Sequence, residues 1–187
     1  MAQYNTPFDS ANTAVRSFLT KVGELYLGRS FNTGSGKAKN DWIKIRDIIF
    51  ESKCSYCGLK SEQLQVEHLI MFNREQYGLH HPGNIVPSCK KCNKRRKDND
   101  NKYLKWEDQL EQICRENNDL NSFFDRKRKI KTHMNEGEYK YPSLNEAEQH
   151  AIRVIANTLY DNIKTESEKA LKMYEELEKA FVKGKDG

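Results

Sequence analysis

The sequence predicts an α+β protein, mostly helical, with one short extended region stapled between helical segments. Three observations predict it. Apolar residues recur at three- and four-residue steps before residue 50 and after residue 103, the period of amphipathic helices. Between these regions, residues 63–72 alternate in a run rich in Leu, Val, Ile and Phe, the period of a strand. That run lies between Cys54-Ser-Tyr-Cys57 and Cys89-Lys-Lys-Cys92, and four thiolates at this spacing suit one tetrahedral zinc ion.

A chain of 187 residues fits one domain, or one domain with an extension. Apolar residues make up 36% and charged residues 32%, so the surface is heavily charged and some elements are expected to project from the main body. No apolar run reaches the length of a membrane span, and residues 1–20 lack the apolar stretch of a signal peptide. A cytoplasmic setting is therefore expected, and five cysteines, an odd number, argue against a disulfide framework. The net charge of +5 is a mild excess that does not by itself indicate a nucleic-acid partner, so the placement of the basic residues matters more.

A first helix is expected after an Asp9 or Ser10 cap, with Val15, Phe18, Leu19, Val22 and Leu25 on its apolar stripe. Residues 28–39 read as a loop. Asn40 or Asp41 caps a second helix, and Trp42, Ile45, Ile48 and Ile49 form its buried side. Residues 63–72 make a hairpin or two short strands, and Asn84-Ile-Val-Pro87 is a short extended piece stopped by proline. A helix is expected from Ser88, carrying Asn93. Two further helices follow, marked by Leu104, Leu110 and Ile113 and then by Leu120, Phe123 and Phe124. Lone Cys114 reads as a small buried hydrophobe. Ser143-Leu-Asn-Glu146 is a capping box opening a long helix, whose stripe runs from Ile152 to Phe181. The expected organisation is an N-terminal helix and loop over 1–40, a core over 41–102 and a helical region over 103–187.

The central stretch carries the chemistry. Gly58, just after the first cysteine pair, suits a tight turn with positive φ. Between the pairs stands Glu67-His68. Glu67 is a hard oxygen ligand suited to Mg²⁺ or Mn²⁺, and His68 can accept a proton near neutral pH. Adjacent residues on a strand point to opposite faces, so the two share one site only if the strand bends or bulges there. Asn93 follows Cys92, and its amide oxygen suits the same ion as Glu67. Asn84 is placed to hydrogen-bond backbone or imidazole and so hold His68. His80 and His81 read as loop residues, with substrate contact or metal ligation as the alternative.

The order Cys-x-x-Cys, Glu-His, Asn, Cys-x-x-Cys-Asn resembles the HNH endonucleases of the ββα-metal class, over about residues 42–98. Two positions depart from the family's pattern: Glu67 where Asp is commoner, and Met71 where proline often stands. The resemblance implies a zinc-stapled ββα-metal core that hydrolyses DNA, with RNA left open as a substrate. It implies that Glu67 and Asn93 hold a Mg²⁺-like ion and that His68 deprotonates the attacking water. The products would carry 5′-phosphate and 3′-hydroxyl ends. Its helix would lie along the minor groove, where Lys90, Lys94, Arg95, Arg96 and Lys97 would meet phosphates.

A restriction or other anti-phage nuclease is the expected role, by analogy. A homodimer or a larger defence partner would dock on the C-terminal helix. The rival reading keeps the four cysteines and the basic run but no catalysis, as a zinc-stabilised nucleic-acid-binding module. A third makes the chain a nuclease subunit directed by a larger partner.

Overall fold

The computed structural model describes residues 6–183, so the first five and last four residues of the expected terminal regions lie outside it. Five α-helices and a two-stranded antiparallel sheet account for its regular structure: α1 (Pro7–Leu27), α2 (Gly36–Ile43), β1 (Gln65–His68), β2 (Ile85–Ser88), α3 (Trp106–Glu116), α4 (Phe123–Asn135) and α5 (Glu146–Lys183). Tertiary contacts divide the chain into two compact units. One gathers the chain up to Leu19, Asn73–Tyr77 and the chain from Leu144. The other holds Thr20–Phe72 and Gly78–Ser143.

In the first unit, α1 begins two residues before the expected caps. Thr6 closes it by a reciprocal pair of bonds with Asp9, whose backbone N–H lies 3.2 Å from the Thr6 hydroxyl oxygen. The buried line on α1 is Ala11, Val15 and Leu19. The cap of α5 is likewise shifted, from Ser143–Glu146 to Asn145–Glu148, each side chain accepting the other's backbone N–H at 2.9 and 2.8 Å. On α5 the buried positions are Ile152, Ala156 and Tyr160, again four residues apart. The Arg74 guanidinium lies 3.4 Å over the Tyr160 ring, and the Tyr77 hydroxyl donates to Asn157. Beyond Ile163 the stripe continues, but Leu171, Tyr174, Leu177 and Phe181 are all exposed.

The second unit contains the extended core. Its buried residues include Trp42, Ile45 and Phe50 before the first cysteine pair, Ile85 and Val86 on β2, Leu110 and Ile113 on α3, and Ile130 on α4. Leu25, placed on the α1 stripe by its spacing, is instead 80% exposed, and Gly23 takes the buried side at this end of the helix. The second helix starts at Gly36, earlier than the expected cap. It widens over Lys44–Ile49 into a π-helical turn, in which the Phe50 N–H reaches back five residues to the Ile45 carbonyl. Ile48, expected inside, turns outward because the wider turn rotates the stripe.

The expected local hairpin at 63–72 does not form. Gln65–His68 pairs instead with Ile85–Ser88, across a long loop. No helix starts at Ser88 either: residues 90–93 make a turn, and the chain then runs out to a bridge between Lys97 and Tyr103. The helix that follows the two strands is α3. It is docked by fully buried Gln109, which donates to the Cys92 carbonyl at 2.9 Å and accepts the Arg96 N–H at 2.8 Å.

Candidate active site

The four paired cysteines come together. Their sulfurs all lie within 4.8 Å of one another, and Cys57 and Cys89 Sγ are 3.8 Å apart. A tetrahedral zinc with thiolate ligands has sulfur–sulfur edges of about 3.8 Å, so the donors fit such an ion. Each pair is shaped by its own backbone. In the first, the Gly58 N–H bonds the Cys54 carbonyl at 2.9 Å, and Gly58 has φ of 73°, the conformation its place in the sequence predicts. In the second, the N–H groups of Cys92 and Asn93 both bond the Cys89 carbonyl. Ser55 ties the first pair to β2, its N–H and hydroxyl both donating to the Pro87 carbonyl. Hydrogen bonds from the neighbouring Cys57 and Cys92 thiols lower the Cys54 pKa, and the same contacts raise those of Cys57 and Cys92, so the cluster favours a thiolate at Cys54 alone before an ion enters.

Glu67 and His68 do not converge as a shared site requires. The β1–β2 ladder runs through both residues in unbroken register, Glu67 opposite Val86 and His68 opposite Ile85, with no bulge. Their side chains therefore alternate. Glu67 is buried, with its Oε1 2.7 Å from Arg95 Nη2 and within 3.4 Å of the Tyr56 hydroxyl. Burial raises its pKa, and the Arg95 charge opposes that rise. Asn93 approaches the same strand, its Nδ2 donating to Gln65 Oε1 at 3.0 Å and to the Val66 carbonyl at 3.4 Å. Gln65 shares Glu67's face of β1, so Asn93 sits nearer to the Glu67 side than to His68.

Half-buried His68 meets other partners. Its Nε2 is 2.9 Å from Nδ1 of His80, and Phe72 stacks on its ring at 4.8 Å. Asn84 is completely buried, and its side chain bonds backbone rather than imidazole. Oδ1 accepts the Ile70 N–H at 2.8 Å, while Nδ2 donates to the carbonyls of Ile70 and Leu79 at 2.9 Å each. These contacts lie two residues after His68 and one before His80, so Asn84 clamps the chain on which both histidines stand.

The basic residues divide. Arg95, expected at phosphates, is inside: its side chain is 5% exposed and donates to Glu67 and to the carbonyls of His68, Leu69 and Leu104. Buried Glu67 needs a partner, and Arg95 is the cation in reach. Arg96 is paired with Glu116 of α3. Lys90, Lys94 and Lys97 are exposed.

Residues 54–99 match the HNH endonuclease family model. That stretch, about a quarter of the chain, is similar to an HNH endonuclease domain. No curated protein and no solved structure matches the chain. The HNH match brackets the cysteine cluster, Glu67-His68, Asn84 and Asn93. Among the described residues, no helix is long and apolar enough to cross a membrane.

His80, Arg95 and Gln109 are the residues whose place here the spacing did not indicate. For His80 the one available signal lies far away, in Gly23: an isolated glycine within a helical pattern often marks close packing. A Cβ at Gly23 would come within 2.4 Å of the His80 carbonyl oxygen.

Proposed function

We propose that this chain is a metal-dependent endonuclease that hydrolyses DNA phosphodiester bonds, with His68 as the general base. The observation that carries this reading is the position of His68. It ends β1 inside the HNH match, half-exposed, between a zinc-type cysteine cluster and a fixed loop. His68 takes a proton from water, the water oxygen attacks phosphorus, and the bond to the 3′ oxygen breaks. The leaving oxygen is then protonated, giving 5′-phosphate and 3′-hydroxyl ends. Zinc on the four cysteines holds the two turns together.

Among the described residues, no second group of three His, Cys, Asp or Glu side chains gathers. Glu67 and Asn93 would hold a Mg²⁺ or Mn²⁺ ion at the phosphate that His68 serves once substrate binding bends the β1–β2 ladder there, with water and that phosphate completing its shell. Their oxygen donors suit such an ion, although Glu67 already shares one oxygen with Arg95. When bound, the ion would stabilise negative charge at the phosphate and the leaving oxygen. Lys90, Lys94 and Lys97 supply exposed positive charge for the backbone of the nucleic acid.

Incubating the protein with supercoiled plasmid and Mg²⁺ or Mn²⁺ tests this directly. Wild type should cleave, and His68→Ala should lose at least about a hundredfold in rate while retaining its fold. Cleavage by His68→Ala at the wild-type rate would remove His68 from the chemistry.

One observation favours a second reading, a zinc-stabilised binding module without catalysis: the carboxylate expected to hold the ion is consumed in a buried ion pair. Retardation of DNA without cleavage under any divalent ion would support it. The exposed stripe of Leu171, Tyr174, Leu177 and Phe181 supports α5 as the contact helix for a second copy or a larger partner. Tyr174→Glu with Leu177→Glu should convert a dimer to a monomer in sedimentation, and a wild-type monomer would remove the dimer. A restriction or anti-phage role belongs to the same reading by analogy. Expressing the protein should lower phage plating efficiency, and an equal effect from His68→Ala would sever that role from catalysis.

A further inference from the structure

We propose that His80 is a positioning residue for His68, and that α1, outside the HNH match, holds it in place. The proposal rests on the nuclease reading for its consequence, but the contact itself is geometric. His68 Nε2 and His80 Nδ1 are 2.9 Å apart, with the ring planes inclined at 47°. A neutral imidazole offers one N–H and one lone pair, so at this distance one ring donates and the other accepts. The tautomer of His68 is therefore tied to that of His80, and His68's ring cannot turn without breaking the bond.

His80 is held both from within its own loop and from α1 and the segment after it. Phe31 lies against its ring at 4.9 Å, and Phe72 contacts both histidines, stacked on His68 and 5.5 Å from His80. Asn84 fixes the backbone at Ile70 and Leu79, which sets the separation of the two histidines along the chain. Gly23 lets α1 rest directly on the His80 peptide, where any larger residue would meet the carbonyl. Beside it, Glu24 is anchored by the Phe31 N–H at 3.0 Å and by Lys21 at 2.7 Å. Its negative charge draws the His80 pKa upward against the burial that lowers it. A base needs a lone pair outside this bond, so His68 serves as one only when its Nε2 donates and His80 Nδ1 accepts. In that tautomer the proton-accepting lone pair of His68 is on Nδ1.

This arrangement gives α1 and the segment after it a job at the site. A positioning role predicts a specific pattern among conservative variants. An Asn side chain places a polar group near the Nδ1 position of histidine, and Gln places one near Nε2. On supercoiled plasmid with Mn²⁺, His80→Ala should lower kcat by about tenfold or more with little change in KM. His80→Asn should recover most of kcat, and His80→Gln should not.

The second readout does not need activity. Long-range ¹H–¹⁵N spectra of the 187-residue chain should give one tautomer for His68, a mixture in His80→Ala, and a single tautomer again in His80→Asn. Loss of kcat in His80→Ala with recovery in His80→Asn, together with that tautomer pattern, supports the proposal. Folded His80→Ala with wild-type kcat, equal impairment of the Asn and Gln variants, or a His68 tautomer unchanged by His80→Ala overturns it. If wild type cleaves nothing, the nuclease reading fails instead. The tautomer spectra then decide alone: a mixture restored by Asn supports the positioning contact, and no change overturns it.

Discussion

At the scale of single residues, polar side chains buried around β1 do most of the specifying. Asn84 makes three side-chain bonds in a fully buried setting, and each joins a loop end rather than a neighbour in sequence. Replacing it with alanine leaves the Ile70 N–H and two carbonyls without those partners. Stripping a partner from a buried polar group is expensive. Asn84→Ala should therefore lose about 2–4 kcal/mol in urea unfolding. A loss under about 0.5 kcal/mol would show that water replaces the clamp. The residue type at 84 was legible, since asparagine there belongs to the HNH pattern. Its partners were not, because Ile70 and Leu79 are brought to it by a loop whose path no periodicity describes. Glu67 shows the same limit. Its chemistry is legible as a hard ligand, but capture by Arg95 depends on where the chain runs after Cys92.

At the scale of elements, the two strands are too short to stand alone, and the cysteine cluster supplies what their length lacks. The cluster joins the turn before β1 to the turn after β2, and Gln109 of α3 docks on the second turn. Zinc removal should therefore affect the whole second unit, not only the turns. Purified protein should contain about one zinc per chain, and Cys89→Ser should contain none. Chelation should remove several kcal/mol of stability and expose the β1 and β2 amides to hydrogen exchange. Full protection of those amides after complete zinc loss would show that the hydrophobic core alone holds the sheet. The helix expected from Ser88 illustrates a local pattern overridden by the cluster. To bring Cys92 back to the other sulfurs, the chain turns at residues 90–93 and leaves the helical path.

At the scale of the molecule, stability should depend on pH through buried histidines. Burial pulls the His81 pKa down to about 4, and it also lowers those of His80 and His133. Arg29, His80 and His133 add positive charge around His81 and act in the same direction. The folded pKa thus lies below the unfolded value of about 6.5, so the fold favours the neutral ring. The resulting stability is complete above about pH 6.5 and is lost as pH falls toward 4. His81 alone accounts for about 3 kcal/mol over that window. Urea midpoints measured between pH 4.5 and 7.5 should rise and then level off. A flat profile would show that these rings are solvated in the folded protein.

The helical regions, the two-pair cysteine site and the Glu-His, Asn, Cys-Cys-Asn order were all determined by the sequence alone. Each rests on local spacing or on the chemistry of residue types, which one chain displays directly. Tertiary structure decided how those residues face one another. An unbroken ladder separates Glu67 from His68, and Arg95 folds inward to neutralise Glu67. A glycine on α1 brings that helix onto His80, and through it onto His68. Such pairings join residues 12 to 57 positions apart through backbone paths, so they follow from the closed fold and not from any motif.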